Sequence, residues 1–395
     1  MSRSRSHSRV LVASAVRTPI GRRGGALRSA HAPVLLGAVI CEALDRAGVP
    51  ADGVSQVLAG CVTQVGDQAY NVARIGWLTA GLPPSVPATT LDAQCGSSHQ
   101  AVTLGSALIR AGAADIVVAA GVEVMSRHPL GSNVAAGPGE PMGARYREHF
   151  EITDQGEAAE RFADRWDIDR AECDEIALRS QSLAAEAWRS GRFSAEVVPV
   201  DLPVADDADG GPNATLVRDE GPRASTMEDL AALAPVFRPD GRHTAGNSSQ
   251  ISDGAAAVVL VSEDAAAQYG ISTLAEVTAF CAVGVDPAIK LTGPIPATWN
   301  VLAQAQLVPA DIDLFEVNEA FASVIAAWRR EIAVALEKVN VNGGAIALGH
   351  PVGASGARLC ATAIHELRRR GDRRALVAMC CGGGLGTATI FEAAG

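Results

Sequence analysis

The stretch Thr90–Ala101, TLDAQCGSSHQA, decides how the rest of the chain is read. A short β-prone run, Ala88 to Leu91, leads to Cys95, and Gly96-Ser97-Ser98 opens a helical pattern from His99 to about Ala111. A thiol at a strand-to-helix turn lies beside the first free N–H groups of a helix, where the amides and the positive dipole end favour the thiolate. Cys95 is therefore expected to have a lowered pKa and to be a candidate nucleophile. The competing reading is a buried structural cysteine.

The surrounding composition bounds what such a thiol serves. At 395 residues the chain is long enough for two or three domains, or for one large duplicated one. Hydrophobic residues at 48% and charged residues at 19% describe a protein with a large core. The formal charge of −11 opposes nucleic-acid or anionic-membrane partners. No apolar run approaches the roughly 18 residues of a membrane span. The basic start, MSRSRSHSR, lacks a following apolar core, so a frayed end is expected rather than a transit peptide, and a cytoplasmic protein follows. Only two lysines, Lys290 and Lys338, are present, which disfavours Schiff-base chemistry, and no Gly-Lys pair exists to build a P-loop. Eight cysteines without secretory features read as reduced thiols, and without CxxC or HExxH no metal site is expected.

Outward from Cys95, strands and helices alternate. Val10–Val16, Val54–Val62 and Ile116–Gly121 read as buried strands, Val34–Ala47 and Asn71–Ala80 as helices, an order that gives a parallel sheet covered on both faces. From Ser126 to about Thr244 the texture changes: a loop-like Gly131–Gly143, charge-rich helical patterning over Glu157–Ser190, and a turn at Asp206–Pro212. This region reads as an insertion over one end of the sheet, with strand character returning at Asp253–Val261. The second half then repeats the first. Val49-Pro-Ala-Asp52 recurs as Val308-Pro-Ala-Asp311 before another apolar run, and Gly356 stands as far before Val377 as Gly96 does before Val117. Duplication brings corresponding loops to one edge, where open α/β sheets bind ligands.

Four segments are candidates for that edge: the Cys95 turn, Asn318-Glu-Ala-Phe-Ala, Gly343 to Pro351 (GGAIALGHP), and Cys380 to Gly386 (CCGGGLG). The last is not a dinucleotide loop, because the strand-like Thr387–Phe391 follows it where a helix is required. Its glycines suit tight backbone approach to a ligand. Together with the opening SAVRTPIG, these motifs resemble the thiolase family over about Val10 to Glu392.

That resemblance implies a duplicated α/β thiolase fold, five-layered α-β-α-β-α, with an inserted loop domain. The implied division is an N-terminal half over 1–125, a loop domain for coenzyme A and substrate over 126–244, a return to the first half over 245–270, and a C-terminal half over 271–395. It implies Cys95 as the nucleophile that takes the acyl group as a thioester, His350 as the base that activates it, and Cys380 as the acid/base. His350 with a water held by Asn318 forms one oxyanion hole on this reading. The N–H groups of Cys95 and Gly382 form the other. Ser249, in GNSSQISDG, matches the serine that contacts pantetheine, while Leu233 and Phe321 fall along the pantetheine tunnel and Arg223 is a candidate for phosphate. Coenzyme A and acyl-CoA are expected as substrates, no resident cofactor or metal is expected, and a homodimer or homotetramer is implied.

Departures refine the reading. Asp154-Gln155-Gly156 stands where short-chain biosynthetic relatives often have His-Met-Gly. GEAAERFA, CVTQVGDQ and GNSSQISDGAAA look closer to degradative thiolases, including those acting on steroid side chains. Thiolytic cleavage of a 3-oxoacyl-CoA is thus the expected activity, with the acyl group open. His99 and the second thiol Cys381 are unusual. A non-catalytic acyl-CoA or sterol carrier of the same fold is the alternative, but it would be expected to lose a reactive Cys or His. A ketoacyl-synthase-like condensing enzyme is another, and the C-terminal thiol argues against it.

Overall fold

The computed structural model describes residues 8–135, 137–202 and 214–394; the turn expected at 206–212 lies outside these. The first half runs β1 (Val10–Arg17), α1 (Ala32–Ala47), β2 (Gln56–Gly60), α2 (Val72–Thr79), β3 (Ala88–Leu91), α3 (Ser97–Arg110) and β4 (Ile116–Val124). An inserted segment follows, with α4 (Gln155–Arg165) and α5 (Arg170–Arg189), before β5 (Ser252–Ser262) completes the half. The second half runs β6 (Ala275–Gly284), α6 (Pro294–Ala305), β7 (Leu314–Val317), α7 (Ala322–Ile332), α8 (Ser355–Arg370), β8 (Arg374–Cys381) and β9 (Leu385–Ala393).

The strand order is β7-β8-β9-β6-β1-β5-β4-β2-β3, with a two-residue strand at Gly21–Arg22 against β5. The two halves mirror each other within it. In each, a parallel pair (β2–β4, β7–β8) is continued by two antiparallel strands (β5 and β1, β9 and β6). The repeated Val-Pro-Ala-Asp forms the same feature twice, a short 3₁₀ turn before β2 and before β7. Among the described residues the strands of the two half-sheets pair only at Leu11↔Glu276 and Val12↔Ala275, so they are separate layers joined at a narrow seam.

Side-chain alternation explains the layering, because successive residues of a strand point to opposite faces. Along β4, Val118, Ala120 and Val122 pack outward under α1 and α2, while Val117 and Ala119 face a central layer containing α3 and α8. Along β8, Val377 and Met379 face the same central layer, and Leu376 and Ala378 pack outward under α6 and α7. The result is five layers, α-β-α-β-α. Each outer layer buries a tryptophan, Trp77 in α2 and Trp328 in α7, whose Nε1 donates to Pro83 O and Thr298 Oγ1 respectively. Removing either side chain should cost about 3–5 kcal/mol.

The inserted helices begin at aspartate caps, Asp154 accepting from Glu157 N and Asp169 from Glu172 N. Ala159, Phe162, Cys173 and Ile176 then join the core of the C-terminal half, not that of the half they interrupt. A buried ion pair network ties the segment back to β1: Arg17 Nε donates to Glu196 Oε1 at 2.6 Å, and its Nη1 to Asp219 Oδ1 at 2.7 Å. The insertion thereby roofs the edge where the two halves present their loops.

Candidate active site

Cys95 stands on a tight turn built by short-range bonds. Gly96 N donates to Ala93 O, Ser97 Oγ donates to Gln94 O at 2.6 Å, and Ala93 N donates to Ser97 Oγ at 2.9 Å. Gln94 has φ +54, a left-handed conformation rare outside glycine and asparagine, which turns the next residue out of the strand direction. The helix begins at Ser97, two residues before the expected start.

Glycine lets the second half reach this turn. A Cβ on Gly60 would lie 2.3 Å from Ser98 N and 2.7 Å from Gly353 O, so β2, the start of α3 and the loop after His350 converge where only glycine fits. Ala357 N donates to Ser98 Oγ at 3.0 Å across the same junction. Cys95 itself is half-buried and packs against Val352.

Burial pushes the Cys95 thiol up to about 11, although the N–H of Gly382 and that of Cys95 itself pull it down. The expectation of a lowered pKa is thereby corrected. The amides do face the sulfur, but desolvation outweighs them. Cys380 is fully buried at the end of β8, is raised by burial, and feels the charge of Cys95. Cys381 points the other way. A Cβ on Gly96 would meet its Sγ at 2.5 Å, which places this sulfur in the central layer beneath the turn.

His350 is held in one orientation. Its Nδ1 lies 2.6 Å from Ser355 Oγ, and that hydroxyl gives its single proton to Pro351 O at 2.9 Å. The hydroxyl can then only accept from Nδ1–H, which leaves Nε2 unprotonated and facing Asn318 Nδ2 at 3.4 Å. Burial, with Arg358 adding to it, lowers His350 to about 3, so the ring is neutral. Asn318 is anchored through its N–H to Ala378 O, and its buried Oδ1 has no hydrogen-bond partner among the described residues.

Two carboxylates that the sequence reading passed over organise these loops. Glu123, at the end of β4, accepts from Val62 N, Thr63 N, Gly353 N and Gln68 Nε2 at 2.7–3.0 Å, fastening the 62–68 loop and the Gly353 loop to β4. Glu319, next to Asn318, accepts from Asn340 Nδ2, Ser180 Oγ and Ile346 N, tying the Asn318 turn to α5 and to the 343–349 loop. A lone acidic residue within an otherwise apolar strand, as in Ile116–Val124, was the available signal for the first. His99 is likewise structural: its two ring nitrogens lie 2.7 and 2.8 Å from the hydroxyls of Thr387 and Thr389, bridging α3 to β9.

A cavity of about 350 Å³ lies over the turn, with Cys95, Val352 and Gly382 in its floor. The inserted segment supplies its roof through Leu130, Val134, Met142, Tyr146 and Ile152. The other expected contacts lie outside this lining. Ser249 N donates to Ala320 O, and Phe321 packs edge-on against Phe237 and His243, so the GNSSQ loop and the Asn318 turn form one surface. Leu233 is 38% exposed beside Gly246 on that surface, and Arg223 is exposed with its N–H bonded to Gln181 Oε1. Among the described residues no cluster of His, Cys, Asp and Glu suits a metal ion.

A duplicated α/β fold with a thiol at a helix start, a second thiol across from it, and a fixed neutral imidazole beside an asparagine defines an acyl-transfer site. Comparison with known proteins gives the family. Residues 10–264 match the thiolase N-terminal domain and residues 271–393 the thiolase C-terminal domain. The chain is 44% identical over 390 residues to a steroid 3-ketoacyl-CoA thiolase of Mycobacterium tuberculosis, covering 96% of this chain and 93% of that one. It is 42% identical over 399 residues to an acetyl-CoA acetyltransferase of Syntrophomonas wolfei, covering 97% and 99%. The crystal structure of the Bacillus anthracis acetyl-CoA acetyltransferase superposes with a TM-score of 0.89 at 38% identity, covering 99% of this chain and all of that one. The chain belongs to the thiolase family and is an acyltransferase.

Proposed function

We propose that the chain cleaves 3-oxoacyl-CoA with coenzyme A, reversibly, giving acetyl-CoA and a shortened acyl-CoA, with Cys95 as the acyl carrier. The observation that carries this reading is Cys95 in the cavity floor, with the N–H groups of Gly382 and Cys95 directed at its sulfur.

In the cleavage direction Cys95 Sγ attacks the 3-oxo carbon as His350 Nε2 takes its proton. With the thiol near 11 and the imidazole near 3, that proton stays on sulfur in the resting site and moves only as the carbon–sulfur bond forms. The Cys95 and Gly382 amides receive the oxygen of the tetrahedral intermediate. The C2–C3 bond then breaks. The acetyl-CoA enolate oxygen meets His350, now protonated, and a water held by Asn318, while Cys380 gives C2 a proton. Coenzyme A enters next, loses its thiol proton to Cys380, and takes the acyl group from Cys95, whose sulfur recovers its proton from His350. Ser249, Leu233 and Phe321 support the pantetheine arm, Arg223 is the candidate phosphate contact, and neither a metal nor a resident cofactor is used.

Assembly as a homodimer or homotetramer in the cytoplasm completes the proposal. The terminal strand β3 leaves one edge unpaired, and Tyr70, beside it, is 88% exposed. The test is a panel of 3-oxoacyl-CoA substrates from four carbons to steroid size. CoA-dependent release of acetyl-CoA, lost in Cys95→Ala, is expected; no cleavage of any member rejects the reading.

A further inference from the structure

Lys290 lines the cavity that holds Cys95, although it is one of only two lysines in the chain. It is 9% exposed, and its Nζ donates to Thr153 O at 2.5 Å. An ammonium has three N–H donors, and this carbonyl uses one. No carboxylate lies within ion-pair distance of Lys290 among the described residues. Two acidic residues share the lining, and both are engaged elsewhere. Glu151 binds Arg161 through bonds of 2.7 and 2.8 Å, and Asp154 Oδ1 accepts from Glu157 N at 2.7 Å at the start of α4.

A buried cation without a paired anion is costly. Burial lowers the Lys290 pKa and Asp154 only partly opposes it, so an anionic ligand at this point would relieve a strain on the charged form. The backbone adds a second observation. Lys290 has φ +33, a left-handed conformation that a lysine rarely takes, and it is the residue at this bend that enters the cavity wall. The roof facing it is apolar, from Leu130 to Ile152. A cavity that begins at Cys95, has this apolar roof and carries on its wall an ammonium with unused donors, while its two carboxylates are held by Arg161 and the start of α4, complements an acyl chain that is apolar along its length and anionic at its far end. With a formal charge of −11 on the whole chain, such an end needs a local cation.

We propose that Lys290 is a specificity-determining residue that selects 3-oxoacyl-CoA substrates whose acyl chain ends in a carboxylate, which binds the free N–H donors of the ammonium. This rests on the cavity receiving the acyl group, as set out above.

The test compares kcat/KM for 3-oxoadipyl-CoA and for 3-oxohexanoyl-CoA, which match in chain length and differ in the terminal carboxylate. Acetoacetyl-CoA is run in parallel. The wild-type protein should favour the carboxylate by about 10–100-fold. Lys290→Met should bring the ratio to about one or below, and Lys290→Gln, run beside it, should reduce it as well. A wild-type ratio of one or less, or a ratio that survives both substitutions, overturns the proposal. Cleavage of acetoacetyl-CoA without a carboxylate preference rejects only the role of Lys290, whereas no cleavage of these three or of any longer member of the panel above rejects thiolysis itself.

Discussion

The two halves of the molecule place a helix N-terminus at the same edge and use it differently. Cys95 precedes Gly96 at the start of α3, and Ser355 precedes Gly356 at the start of α8. The first position presents a thiol to the cavity. The second presents a hydroxyl that fixes the His350 tautomer and does not line that cavity. On the proposed mechanism one copy supplies the acyl carrier, and the other supplies the base, the asparagine and the second thiol. Duplication provides the frame, and divergence at matched turns provides the chemistry. A smaller contrast lies within β8, where Cys380 and Cys381 are neighbours in sequence and face opposite layers.

The contrast within β8 can be broken most sharply at its two thiols. Cys380→Ala should lower kcat by about 10²–10⁴-fold, the range for loss of an acid/base group. Asn318→Ala should lower kcat by about 10²–10³-fold with little change in KM, since it acts on charge that develops during reaction. Steady-state kinetics of the two variants check both, and a rise in KM alone would move Asn318 from catalysis to binding.

Acid stability tests the buried imidazoles. His350 and His99 have folded pKa values lowered to about 3 and about 4 from 6.5, both by burial. Their contribution to stability is full above pH 6.5 and is lost as pH falls towards those values, because the unfolded chain binds protons that the fold refuses. Urea midpoints should therefore fall between pH 6.5 and 4, and less steeply in His99→Asn; a flat profile contradicts neutral buried rings. The smallest effect belongs to Cys381→Ala, about 1 kcal/mol of stability from lost packing with turnover retained. A loss of turnover to match Cys380→Ala would place both thiols in the reaction.

Much of this was legible in the chain. The alternation of elements, the repeat, and the four motif segments around Cys95, Asn318, His350 and Cys380 are local patterns, and the fold places those segments at one edge. Other features depend on groups distant in sequence. Glu123 and Glu319 work through bonds to loops that no spacing connects, and the left-handed Gln94 has no compositional signature. The Cys95 pKa was misjudged because a helix start can be recognised from residue types, whereas the desolvation that outweighs it depends on what packs above. Lys290 stood out in the sequence only by rarity, and its place in the cavity wall comes from a loop of the other half.

The most direct test is to map the acyl group itself. Incubation with acetoacetyl-CoA, followed by acid quench, digestion and mass spectrometry, should find the acetyl thioester on the peptide containing Cys95, and none in Cys95→Ser. An adduct on Cys380 or Cys381 in its place, or full turnover in Cys95→Ala, would contradict the account.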